Sequence, residues 1–241
     1  MSIGVGLRAF TDAVGMVRAR GISQFVWLPA LVSLLVVAST LGLVFTYVDE
    51  GVAWVLAQLP DWLSFLEWIL APLAYLLGVL AGAWVFGYAA TLIASPFLGV
   101  LSSRVETHVT GRAPISQSHW LTAIATTFAR EVRKLVYYLP RALLVFLFTL
   151  LPVINLAAPF VWLAFGAWIM AVQFVDYAPE NNGAAFSATL DVLKRNRAAA
   201  LGFGAPTALA MAIPLLNVIA VPIAVVGGTL LWCRLQANPR G

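Results

Sequence analysis

The chain has 241 residues, of which 62% are hydrophobic and only 10% charged, with a formal net charge of +4. A soluble domain is nearer half apolar and about a quarter charged. There is too little polar surface here to cover a water-soluble globule, so the composition predicts an all-α integral membrane protein, one membrane domain over residues 1–241. The single cysteine, Cys233, excludes an internal disulfide.

Residues 1–25 carry Arg8, Asp12, Arg18 and Arg20 and have no unbroken apolar core, so no cleavable signal peptide is expected. Ile3, Leu7, Phe10, Val14 and Val17 fall on one helical face. This predicts an amphipathic helix, either lying at the membrane surface or packed on other protein. Residues 26–48 are free of charge, and at about 1.5 Å per residue they span a hydrocarbon core of about 30 Å. Residues 69–103 are also uncharged and longer than a bilayer requires. These are the two expected transmembrane helices. Between them, residues 49–68 contain Asp49, Glu50, Asp61 and Glu67 but none of the 14 Lys and Arg. Because Lys and Arg stay on the cytoplasmic side, this loop is expected to be periplasmic and both termini cytoplasmic.

Residues 113–139 continue as an amphipathic helix expected on the cytoplasmic surface. Leu121, Ile124, Phe128, Val132, Leu135 and Leu139 lie on one face, with Arg130, Arg133 and Lys134 elsewhere. Two broken apolar runs follow. In 140–176 the uncharged stretch is interrupted by Pro152, Asn155 and Pro159, and in 198–234 by Pro214, Asn217 and Pro222. Each arm of the first run is about half a bilayer long. Prolines with a turn-forming Asn between them make a bend more natural than a straight span. Full spans would place Lys194, Arg195 and Arg197 outside, against the charge bias. Two re-entrant hairpins, entering from the cytoplasm and turning back, are therefore expected. Their apices must be covered by protein or line a wet cavity, since irregular backbone cannot face lipid. This predicts a homo-oligomer, with Gly78, Gly82, Gly87, Gly227 and Gly228 suited to close helix contact.

Residues that carry chemistry are sparse. No metal-ligand cluster, phosphate loop or nucleophile motif occurs, so neither enzyme activity, a metal, a cofactor nor a nucleic-acid partner is expected. Asp176 and Glu180 flank a polar loop and read as solvated ends. Glu106, with Arg104 and His108 beside it, follows the second span; it is either a solvated helix end or a group on an ion path. Asn155 and Asn217 are pore candidates at the apices. The pattern best suited to an anion is Arg18, Arg20, Gly21, Ile22, Ser23 and Gln24. Free amides at a helix start, two hydrogen-bonding side chains and two arginines stand together there. Basic residues at a cytoplasmic helix end are also expected from charge bias alone.

The segments "GISQFVWLPALVS", "LIASPFLGVL", "REVRKLVYYLPRA", "AWIMAVQFVDYAPENN" and "FGAPTALAMAIPLLNVIAVPIAVVGGT" resemble, in order, the CysZ family of bacterial inner-membrane sulfate permeases. The resemblance implies sulfate uptake across the inner membrane for cysteine biosynthesis. It also implies a homo-oligomer with two long helices and two half-penetrating helix pairs. The family's sulfate-binding motif, Gly-Leu-Arg-Arg, corresponds here to Gly21, Ile22, Ser23 and Gln24: the glycine remains and both arginines are replaced. Glu106 matches an acidic position of the family, and His108 stands where a basic residue is usual. With no nucleotide motif, the expected transport is channel- or permease-like. A non-transporting scaffold or membrane-shaping protein is the alternative from the residues alone.

Overall fold

A computed structural model describes residues 1–17, 23–58, 60, 65, 67–114, 120–151 and 155–237. Among these the chain is helical, without strands. The helices are α1 (Ile3–Met16), α2 (Ser23–Leu56), α3 (Glu67–Thr110), α4 (Trp120–Thr149), α5 (Ala158–Val175), α6 (Tyr177–Asn181), α7 (Phe186–Arg195), α8 (Arg197–Met211) and α9 (Pro214–Ala237). A 3-10 turn, Asn155–Ala157, precedes α5. Two helices among the described residues, Ala158–Asn181 and Ile219–Ala237, are long and apolar enough to cross a membrane.

The chain forms two compact units, Leu28–Ala94 and the remainder. The smaller is an antiparallel helix pair. Gly78 faces Val44 and Val48, each 3.2 Å from where its Cβ would lie, so a larger residue there would separate the helices. The Tyr75 hydroxyl donates to Asp49 Oδ1 at 2.6 Å, and a cavity of about 220 Å³ lies between Val48, Gly51, Val52, Val55, Leu70 and Ala74. The uncharged segments 26–48 and 69–103 fall inside α2 and α3. The helices extend beyond them, α2 to Leu56 and α3 from Glu67, so the acidic connection is shorter than its charges suggest.

The larger unit has its core between α1, α5, α8 and α9. Glycines let these helices meet backbone to backbone. A Cβ at Gly204 of α8 would overlap the Ala167 carbonyl of α5, and one at Gly6 of α1 would overlap the Ala199 carbonyl of α8. Gly6, Ala9 and Ala13 are the buried face of α1, while Ile3, Leu7 and Val14 of the bulky stripe are exposed. Small residues are chosen for the protein contact because only they allow this approach.

α4 runs unbroken through Pro140, so the segment expected as a surface helix and the first part of the run 140–176 form one helix. The two broken runs divide at different places relative to their Pro and Asn residues. Asn155 opens the 3-10 turn and Pro159 sits in the first turn of α5. In the second run α8 ends at Met211 and Pro214 itself starts α9, leaving Asn217 and Pro222 inside the helix. Proline is well placed at a helix start, where its missing N–H costs nothing, and either proline of such a pair can take that role.

Candidate functional site

The inner face of α4 is the best-defined polar site. Arg130 and Lys134 are one turn apart and point at the same carboxylate, Asp176, at the junction of α5 and α6. Arg130 Nε donates to Asp176 Oδ2 at 2.7 Å and Nη2 to Oδ1 at 2.6 Å, a bidentate pair, while Nη1 donates to the Ala184 carbonyl at 2.6 Å. Lys134 Nζ lies 3.3 Å from Asp176 Oδ2 and 2.8 Å from Glu131 Oε1, and 5.4 Å from the centre of the Tyr177 ring. The Thr189 hydroxyl adds a fourth donor to Asp176, at 2.7 Å, and Gln173 reaches Glu131 from α5 at 3.3 Å. Asp176 and Lys134 are both 0% exposed. The expectation that Asp176 is a solvated terminus is thus overturned. Glu180 also has a protein partner, accepting from the Thr127 hydroxyl at 2.9 Å.

Burying these charges turns α4 inside out. Its expected apolar face is the outer one: Phe128 is 58% exposed and Leu139 63%, with Val132, Leu135 and Val136 exposed between them. Such a contiguous apolar surface marks contact with a membrane or a partner. The sequence held one sign of the arrangement, namely that Arg130 and Lys134 are spaced i, i+4, opposite the apolar stripe. Which face turns inward follows only once Asp176 is known to pair with them.

The segment after Asp176, expected as a polar loop, instead forms the short helix α6, and its C-terminal end reaches α3. Asn181 Nδ2 donates to the Gly99 carbonyl at 2.8 Å, and Asn182 Nδ2 donates to Glu106 Oε1 at 2.8 Å. Gly183, at φ +68°, makes the left-handed turn that leads to α7. Glu106 Oε2 is buried and has no hydrogen-bond partner among the described residues. Burial pushes the Glu106 carboxyl above its ordinary pKa, against the opposing effect of the Asn182 hydrogen bond. His108 is exposed in the last turn of α3, and Arg104 is exposed one turn earlier. Glu106 is therefore bound into the protein on one oxygen and unmatched on the other.

The remaining predicted positions are only partly described. Arg18, Arg20, Gly21 and Ile22 lie outside the described residues. Ser23 is half-buried and is the first described residue of α2. Asn155 and Asn217 are described for their backbone alone. Among the described residues no group of His, Cys, Asp or Glu is arranged to hold a metal.

A family model described as "Sulfate transporter CysZ/Etoposide-induced protein 2.4" matches residues 9–222. A "Sulfate transporter CysZ" of Pseudomonas aeruginosa (strain PAO1) is 39% identical over 230 residues, covering 94% of both chains. One of Vibrio cholerae serotype O1 (El Tor Inaba N16961) is 34% identical over 240 residues, covering 97% of this chain and 96% of its own. One of Pectobacterium atrosepticum is 33% identical over 237 residues, covering 97% and 86%.

Proposed function

The chain belongs to the CysZ/etoposide-induced protein 2.4 family, and from that premise we propose that it carries sulfate across the bacterial inner membrane without hydrolysing nucleotide, supplying cysteine biosynthesis. The observation that carries this is similarity to sulfate transporters along nearly the whole length of both chains. The inside-out α4 supports a membrane setting independently, because its apolar face needs lipid or protein against it. In this reading 49–68 faces the periplasm, both termini face the cytoplasm, and the α4–α5 and α8–α9 pairs enter the bilayer from the cytoplasmic side. Copies of the chain associate to cover the hairpin apices.

Sulfate first meets the protein at Arg18–Gln24. A dianion with four acceptor oxygens needs donors and positive charge together, and a helix start beside Gly21, Ser23 and Gln24 would offer the amides. Arg18 or Arg20 supplies the charge that the family motif carries two and three residues after its glycine. Uptake of radiolabelled sulfate into proteoliposomes tests the function. Purified protein should give saturable flux, and no flux above empty vesicles would leave a scaffold as the reading. Arg20→Ala should weaken sulfate binding about tenfold or more, through loss of one charge-assisted hydrogen bond of roughly 1.5–3 kcal/mol. Wild-type affinity in that variant would move the site toward Arg104, Glu106 and His108.

A further inference from the structure

Arg141 is the last charge before 34 uncharged residues, 142–175. It is exposed on α4 among exposed apolar neighbours: Leu139, Leu143 at 58% and Leu144 at 55%. Unlike Arg130 and Lys134, it has no carboxylate within ion-pair distance among the described residues. Its side chain is nonetheless held in place. The guanidinium carbon lies 3.7 Å from the centre of the Tyr137 ring, and Nη1 donates to the Tyr137 carbonyl at 2.6 Å. Tyr137 is itself fixed, because its hydroxyl accepts from Trp168 Nε1 of α5 at 3.1 Å and its ring stands edge-on to Phe186 of α7 at 5.9 Å. The result is a guanidinium oriented by an aromatic ring, with donors to spare, on an apolar surface.

We infer that Arg141 binds the phosphate of a bilayer phospholipid, which fixes how deeply the α4–α5 pair enters the membrane. The inference rests on the proposed membrane entry of that pair. A cation ringed by lipid-facing side chains must sit at the polar boundary of the bilayer, because deeper placement would strip it of water without a counter-charge. The oxyanion available at that boundary is the phosphodiester, and a planar guanidinium can meet two of its oxygens at once. Tyr137 and Trp168 belong at the same level, where aromatic rings with a polar edge collect. Two turns away, Lys134 is matched by protein carboxylates; Arg141 is matched by lipid.

The test uses whole protein incubated with vesicles of phosphatidylethanolamine and phosphatidylglycerol, then released into detergent for native mass spectrometry. Wild type should retain phospholipid but not diacylglycerol, which has the same chains and no phosphate. Arg141→Gln should lower that retention about tenfold, and Arg141→Lys should keep part of it. Displacement of the retained lipid by excess inorganic sulfate or phosphate would overturn the lipid assignment in favour of a free-anion site. A spin label at Leu147→Cys, in a Cys233→Ser background, separates this from the membrane-entry reading. If the label contacts water in wild type, membrane entry itself fails. If it lies in hydrocarbon in both wild type and Arg141→Gln, at equal depth and with equal lipid retention, only the role of Arg141 is overturned.

Discussion

Asp176 sits at the meeting point of two cations and a hydroxyl, and the physics of its loss is asymmetric. Removing both signs of a buried pair is often tolerated, but removing one leaves charge stranded away from water. Asp176→Ala would strand Arg130 and leave Lys134 with Glu131 alone, and unfolding in detergent should show a loss of about 3–5 kcal/mol. Thr189→Val removes a single neutral donor and should cost only about 1 kcal/mol. Equal effects from the two would mean that water reaches the cluster. The residue types at this site were readable in the sequence, but their pairing was not. Charges beside an apolar run look solvated from sequence because the partner of Arg130 lies 46 positions away, and helical periodicity reports only which residues share a face. Glu106 was legible as a position of interest because it follows the second uncharged segment, but its chemistry was not, because its partner, Asn182, lies at the end of α6, 76 positions away.

At the level of elements, the helices themselves were largely legible, since long uncharged segments have little alternative to helix. Their ends were less so. Charge marks where a segment should leave hydrocarbon, whereas hydrogen bonding decides where the helix stops, so α2 continues past Asp49 and Glu50 to Leu56. The two Pro–Asn–Pro runs look alike in sequence, yet α9 starts at the first proline of its run and α5 around the last of its own, because a helix start is a tertiary choice among permitted prolines. In α1 the periodicity marked the bulky face but not the residues that touch protein. Bulky side chains draw the eye, while Gly6, Ala9 and Ala13 make the contact. The glycines give a sharp test. Gly204→Ala places a methyl group on the Ala167 carbonyl and should destabilise by about 1–3 kcal/mol. Gly15→Ala, where nothing lies within 4 Å, should be neutral or raise stability by up to about 1 kcal/mol through helix propensity. The thermal melt should fall for Gly204→Ala and hold or rise for Gly15→Ala; a shared loss would argue against the backbone contact.

For the molecule as a whole, sidedness is the property on which the proposed transport depends. Single cysteines at the exposed positions Gln58 and Ser187, in a Cys233→Ser background, should react with an impermeant thiol reagent from opposite sides of the membrane. Reaction of both from the periplasm would exclude the re-entrant arrangement. The inside-out α4 also has a consequence for how the chain is made. Arg130 leaves the ribosome 46 residues ahead of Asp176, which at 5–20 residues per second is a delay of roughly two to nine seconds. Throughout that interval Arg130 has no carboxylate partner and Lys134 has only Glu131 of its own helix, so the face that must later turn inward has to wait in the aqueous interface until Asp176 is synthesised. A cysteine at Leu143 should therefore react freely with the impermeant reagent in ribosome-arrested chains that end before Asp176, and become shielded once the chain extends past Thr189. Shielding in the shorter chains would show that α4 settles into the bilayer before its partner exists.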